Sequence, residues 1–166
     1  MEKNELRKIF LQRIRSYENK TEESKMIVSS ILELKEYREA ETILAFYPLP
    51  SEPDITPLLS DRRVLLPFFD GDEMKFGRGE LERSEKKVMT VKNRTEVRYE
   101  KAVILVPLLA YDRENYRLGR GGGYYDKYIN KNREKLFVVG VAFSVSQIEA
   151  LPHDSWDERL DVIIAQ

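Results

Sequence analysis

The run Ala102–Pro107, AVILVP, constrains the fold more than any other stretch of the chain. Six consecutive residues without a polar side chain cannot divide themselves between a wet and a dry face. The run is therefore expected to be a strand covered on both sides, as in a parallel sheet with helices packed on each face. Other short apolar runs accompany it: Thr42–Tyr47 (TILAFY), stopped by Pro48 and Pro50, then Val64–Phe69, Phe137–Phe143 (FVVGVAF) and Val162–Ala165. Helical spacing dominates the beginning of the chain, with Leu6, Ile9, Phe10, Ile14 and Tyr17 on one basic amphipathic helix over residues 3–17. Ile27, Val28, Ile31, Leu32 and Leu34 predict a second helix from Thr21 to about Tyr37. A helical turn is expected at Leu58 and Leu59, and a further helix from Tyr124 to about Lys131. Residues 70–101 are the least readable: Met74–Phe76 and Val97–Tyr99 are candidate strands on either side of the charged stretch ELERSEKKV. Strands alternating with helices predict the α/β class: a single three-layer α/β/α domain over residues 1–166 with a mainly parallel central sheet. In such sheets ligands collect outside the carboxyl ends of the strands.

Composition removes several kinds of chemistry. The 166 residues contain no cysteine and one histidine, His153, so thiolate catalysis, disulfides and cysteine- or histidine-rich metal centres are excluded. With 28 basic and 29 acidic residues the net charge is -1, and no global field draws the chain to nucleic acid or an anionic membrane. The N-terminal segment is too charged for a signal peptide, and no apolar run approaches the ~18 residues of a membrane span. The expectation is a cytoplasmic protein.

The segment with chemical potential is RLGRGGGYYD, Arg117–Asp126, which follows the AVILVP strand and precedes an expected helix. Gly119 and Gly121–Gly123 would let backbone amides approach a phosphate, and the following helix N-terminus adds partial positive charge. Arg117 and Arg120 can offer forked hydrogen bonds to phosphate oxygens, and Asp126 a hard oxygen ligand for magnesium beside them. The loop is neither a GxxxxGK[ST] phosphate loop nor a dinucleotide fingerprint. Lys3 and Arg7 stand four residues apart on one helix face, a like-charge pair that an anion between them would relieve.

RLGRGGGYYD, preceded by VPLLAYD, resembles the signature of the 5-formyltetrahydrofolate cyclo-ligase family, and KNELRK at Lys3–Lys8 resembles its opening element. The resemblance implies ATP- and magnesium-dependent conversion of 5-formyltetrahydrofolate to 5,10-methenyltetrahydrofolate through a phosphorylated formyl intermediate. It implies that Lys3, Arg7, Arg117, Leu118, Gly119, Arg120, Gly121, Gly122, Gly123, Tyr124 and Tyr125 bind ATP. Arg120, Lys3 and Arg117 are the implied catalytic cations, and Glu52, Arg120 and Tyr124 the folate contacts. LPHDSWDERLDVIIAQ resembles the family's closing element, which makes Asp157 the partner of Asp126 at magnesium, with Asp161 as runner-up; Trp156 is read as core or pocket wall. Two departures stand out. Ile55 occupies a place where the family often has threonine, with Thr56 one residue later, and residues 80–100 lack the family's Gly-Ile-x-Glu-Pro element. The expected partners are a folate and ATP, with no nucleic acid or membrane, and the expected state is a monomer. Two alternatives stay open: an ATP-dependent enzyme of the same fold acting on another small substrate, and an RNA-binding module using GRGGGYY as a stacking element.

Overall fold

The structure, a computed structural model, describes residues 1–166. Helix α1 (Lys3–Arg15) buries Leu6, Phe10 and Ile14, a stripe narrower than its apolar content suggested, and leaves Ile9 exposed. The second expected helix is divided. Helix α2 (Lys20–Glu33) ends where Leu34 turns extended (ψ 122°), α3 (Lys35–Glu39) follows, and Leu32 lies in solvent. A tertiary contact accompanies the break: Arg63 Nη1 donates to the carbonyls of Tyr37 (2.9 Å) and Ala40 (3.0 Å), while Tyr37 is buried. Satisfying carbonyls at the end of a short helix with an arginine from a neighbouring loop is a non-local device, invisible to periodicity.

Along the chain the strands are β1 (Ile43–Leu44), β2 (Val64–Asp70), β3 (Glu73–Gly77), β4 (Leu81–Arg83), β5 (Met89–Val91) and β6 (Ala102–Pro107). They continue with β7 (Ala110–Tyr111), β8 (Arg117–Leu118), helix α4 (Tyr124–Asn132), β9 (Leu136–Val141) and β10 (Val162–Ile164). The main sheet has the order β10-β9-β6-β1-β2-β3, parallel except for the edge strand β3. Strand β6 is central, as its composition requires. Val103 and Leu105 face the core beneath α1 and α2, and Ala102, Ile104 and Val106 face the core beneath α4. Ile104, Leu105 and Val106 are fully buried, each contributing about 1.5–3 kcal/mol relative to exposure. The result is the expected mixed α/β, three-layer architecture with a mainly parallel sheet.

Of the two strands expected in residues 70–101, Met74–Phe76 lies within β3 and the other fails. Val97–Tyr99 is not a strand, although Val97 N donates to Phe76 O (3.0 Å) along the edge of β3. The charged stretch, for which no element was expected, supplies the first strand and turn of a hairpin, β4 paired antiparallel with β5, closed by a turn in which Ser84 N donates to Val88 O (2.9 Å) and Lys87 adopts φ +63°. Its alternating charges obscured a strand whose outer face is wet.

The sheet order places the ligand site. Strand β1 pairs with β2 on one side and β6 on the other, so the loops leaving the carboxyl ends of β1 and β6 diverge and open a crevice there.

Candidate active site

A cleft of about 700 Å³ fills that crevice. Each site residue singled out in the sequence lines it, apart from the runner-up Asp161: Lys3 and Arg7 from α1, Glu52 from the loop after β1, the run Arg117–Asp126, and Asp157.

Arg117 anchors the floor. Its side chain is 7% exposed, Nη2 donates to Pro107 O (3.2 Å), Nη1 lies 3.6 Å from Asp126 Oδ1, and the guanidinium sits over the Tyr125 ring. Burial pulls the Arg117 guanidinium below its ordinary range, against the opposing pull of Asp126. Its Nε is buried and has no hydrogen-bond partner. An orphaned N–H on a buried cation is a costly arrangement. The glycines are needed for this packing. A Cβ on Gly119 would stand 2.5 Å from Arg117 Nη2, and Gly121 adopts φ +109°, a conformation open to glycine alone at low cost. Arg7 braces the loop from α1, donating from Nε to Gly119 O (2.9 Å). Helix α4 begins directly after the loop, and no side chain caps its first turn, which leaves amides oriented for an anion.

Glu52 and Arg120 meet where the loop after β1 reaches the glycine loop. The Glu52 side chain is 7% exposed, Oε1 accepts from Leu49 N (2.8 Å), and Oε2 lies 3.4 Å from Arg120 Nε. Burial pushes its carboxyl above the usual glutamate range, only partly offset by the Leu49 amide and Arg120. Arg120 also donates from Nη2 to Ser51 Oγ (2.5 Å). Lys3 Nζ is held by Asp157 Oδ2 (2.6 Å) and Asp154 Oδ2 (3.1 Å). Burial alone would raise the Asp157 carboxyl, but the Lys3 hydrogen bond and the Asp154 amide outweigh it and hold it below the usual range.

The runner-up Asp161 is not at this site. It pairs with Arg133 (2.8 Å) and accepts from Val138 N (2.7 Å), tying β9 to the segment before β10. Nowhere do three histidine or acidic side chains converge. The donors that line the cleft, Asp126 and Asp157, nevertheless fit magnesium, which is commonly held through one or two carboxylates with phosphate oxygens and water completing its shell.

The other half of the cleft was not visible in the sequence. Phe69 and Met74 are register partners across β2 and β3, and Lys86, Val88 and Met89 reach the cleft from the β4–β5 hairpin. Phe69 meets Tyr124 edge to face at 4.8 Å, and Lys86 Nζ rests 5.1 Å and 5.2 Å from their ring centroids. Trp156 lines the mouth and is 66% exposed, which makes it wall and not core. Only the pairing of β2 with β3 and the hairpin turn bring these residues together.

Fold and cleft together define a doubly wound α/β protein with a ligand site at its switch point, cationic on one side and aromatic on the other. The model of the 5-formyltetrahydrofolate cyclo-ligase family matches residues 1–166, and the chain belongs to that family. A solved structure of the 5,10-methenyltetrahydrofolate synthetase of Aquifex aeolicus superposes with a TM-score of 0.83 at 30% identity, covering 99% of this chain and 90% of that one. A 5-formyltetrahydrofolate cyclo-ligase of Mycolicibacterium smegmatis is 33% identical over 133 residues, 68% of this chain and 69% of that protein. The match to a 5-formyltetrahydrofolate cyclo-ligase of Mycoplasma genitalium is shorter: 41% identity over 59 residues, 36% of this chain and 35% of that protein's length.

Proposed function

We propose that the protein closes 5-formyltetrahydrofolate to 5,10-methenyltetrahydrofolate with consumption of ATP. The observation that carries this reading is the division of the cleft, with Lys3, Arg7, Arg117 and Arg120 on one side and Phe69, Met74 and Tyr124 on the other. A polyphosphate and a flat heterocycle meeting at Arg120 require that division.

In this reading the Gly119–Gly123 amides, Lys3, Arg7 and Arg117 hold the ATP phosphates, with Leu118 and Tyr125 beside them. Glu52 and Tyr124 hold the folate, and Arg120 stands at the formyl oxygen. That oxygen attacks the γ-phosphorus and ADP leaves. N10 then bonds to the activated carbon, and phosphate departs with the former formyl oxygen and the N10 proton. No protein nucleophile is needed, in keeping with a chain that has no cysteine. Catalysis rests on positioning and charge neutralisation. Asp126 and Asp157 would hold magnesium, which when bound neutralises phosphate charge. Lys3 and Arg117, now resting against these carboxylates, would turn to phosphate oxygens and preserve the charge balance. The test is incubation of the purified protein with ATP, magnesium and 5-formyltetrahydrofolate while the methenyl absorbance is followed. Formation of the chromophore with one ADP per product is expected; no product at any enzyme concentration would overturn the reading.

A further inference from the structure

Asp112 is a buried carboxylate that the proposed reaction does not use. It opens the turn between β7 and β8 and is 4% exposed, yet no side chain pairs with it. Its three partners are backbone amides: Oδ1 accepts from Glu114 N and Tyr116 N, each at 3.0 Å, and Oδ2 accepts from Leu151 N at 2.9 Å. Burying a carboxylate without a paired cation is costly, and amide donors offset that cost only where the backbone holds them in place.

The two oxygens serve different segments. Oδ1 closes the turn, helped by Asp112 N donating to Tyr116 O (3.1 Å) and Asn115 N donating to Asp112 O (3.1 Å). That turn leads directly into β8 and Arg117. Oδ2 reaches the closing segment of the chain at Leu151. The same hairpin meets this segment at three further points. Ile148 N donates to Tyr111 O (2.9 Å), His153 stacks on Tyr116 with ring centroids 3.8 Å apart, and Leu160 N donates to Asn115 O (2.8 Å). Between the contacts at His153 and Leu160 lie Asp154 and Asp157, the two carboxylates that hold Lys3. One hairpin therefore carries Arg117 in its own return strand and Asp157 through the segment fastened to it.

We propose that Asp112 is a positioning residue that fixes Asp157 relative to Arg117 and Asp126 at the metal and phosphate end of the cleft. The inference rests on the function proposed above, which gives Asp126 and Asp157 to magnesium. Asp112 touches neither ligand; it acts through the Leu151 amide and the residues that follow.

The link can be cut at one end. In Asp112→Asn the remaining oxygen can still accept from Glu114 N and Tyr116 N, which keeps the turn, while the new amide group sets a donor against Leu151 N. A second variant, His153→Ala, removes the stacking contact at an exposed residue outside the cleft and serves where Asp112→Asn does not fold.

The test has three readouts. In the metal-free protein, amide hydrogen exchange at residues 153–160 should quicken about tenfold in Asp112→Asn while β7 and β8 stay protected. Calorimetric affinity for ATP with magnesium should fall about tenfold, and about 2- to 5-fold in His153→Ala. In turnover assays the magnesium requirement of both variants should rise while the KM for the folate stays unchanged. In an Asp157→Asn background Asp112→Asn should weaken the ATP–magnesium complex by less than about twofold, because residues acting through one path are not additive.

Unchanged exchange at residues 153–160, an unchanged affinity in both variants, a folate KM that rises with the magnesium requirement, or full additivity with Asp157→Asn would each overturn the positioning role. Wild-type protein that makes no product but binds ATP with magnesium, and loses that binding in the variants, would sustain the role and defeat the cyclisation reading. Wild-type protein that binds no ATP would defeat both.

Discussion

The glycine loop and the β4–β5 hairpin face each other across one cleft but are held in place by different means. Arg117 is buried beneath the loop, Arg7 bonds its backbone, and Gly119 and Gly121 admit no larger residue without collision or strain. The hairpin has a short antiparallel ladder, a turn with Lys87 at φ +63°, and buried side chains only at Thr90 and Val91. Cations aimed at developing charge act through preorganisation, so the loop must be rigid. The hairpin supplies apolar contact area and one exposed cation, Lys86, which a looser support can provide. The two sides should therefore respond differently to substitution.

The largest effect is expected on the rigid side. Arg120→Ala should lower kcat roughly 10²- to 10³-fold, as for loss of a donor to developing charge, with the far-UV circular dichroism unchanged. Wild-type turnover in that variant would break the comparison at its strongest point.

Glu52 comes next. Glu52→Gln should lower kcat/KM roughly 10- to 100-fold, the scale of a hydrogen bond to a charged group. The wild type should lose activity on acidification at a higher pH than an ordinary glutamate would dictate, because burial raises this carboxyl. The stability sign follows from the same shift. With the folded pKa above the unfolded one, Glu52's contribution is fully present below the unfolded value and is lost as pH rises through the folded value. Thermal melts should therefore show the wild type gaining on Glu52→Gln as pH falls towards about 4.3; a gap independent of pH would remove the titration from Glu52.

The smallest effect belongs to the hairpin. Lys86→Ala should raise the KM for the folate about 2- to 5-fold through loss of an exposed cation–π contact, leaving the KM for ATP unchanged. An effect on kcat as large as that of Arg120→Ala would make the hairpin part of the rigid machinery and erase the distinction.

The same division separates what could be read in advance from what could not. AVILVP has to be buried on both faces, which implied parallel neighbours and covering helices before any coordinate was known. RLGRGGGYYD carries its chemistry in consecutive residues, so local order alone brings arginines, flexible backbone and a carboxylate together. Lys3 stood out locally only as a like-charge neighbour of Arg7, and Glu52 and Asp157 came only through family resemblance, since residues so far apart in the chain carry no local sign that they meet. Phe69, Met74, Lys86 and Met89 carried no sign at all. Each is an ordinary strand or turn residue, and its place in the cleft depends on the register of β2 with β3 and on the hairpin turn.

Asp157 and Asp161 make the point at closest range. They stand four residues apart in one acidic segment, and nothing local distinguishes them. Tertiary packing sets one against Lys3 in the cleft and the other against Arg133 and the Val138 amide. By itself the sequence determined the class of fold and the cationic half of the site, because burial of an apolar strand and the backbone freedom of glycine are properties of short segments. Only the tertiary structure decided which carboxylate faces the cleft and what forms its aromatic side, because those depend on which distant segments lie side by side.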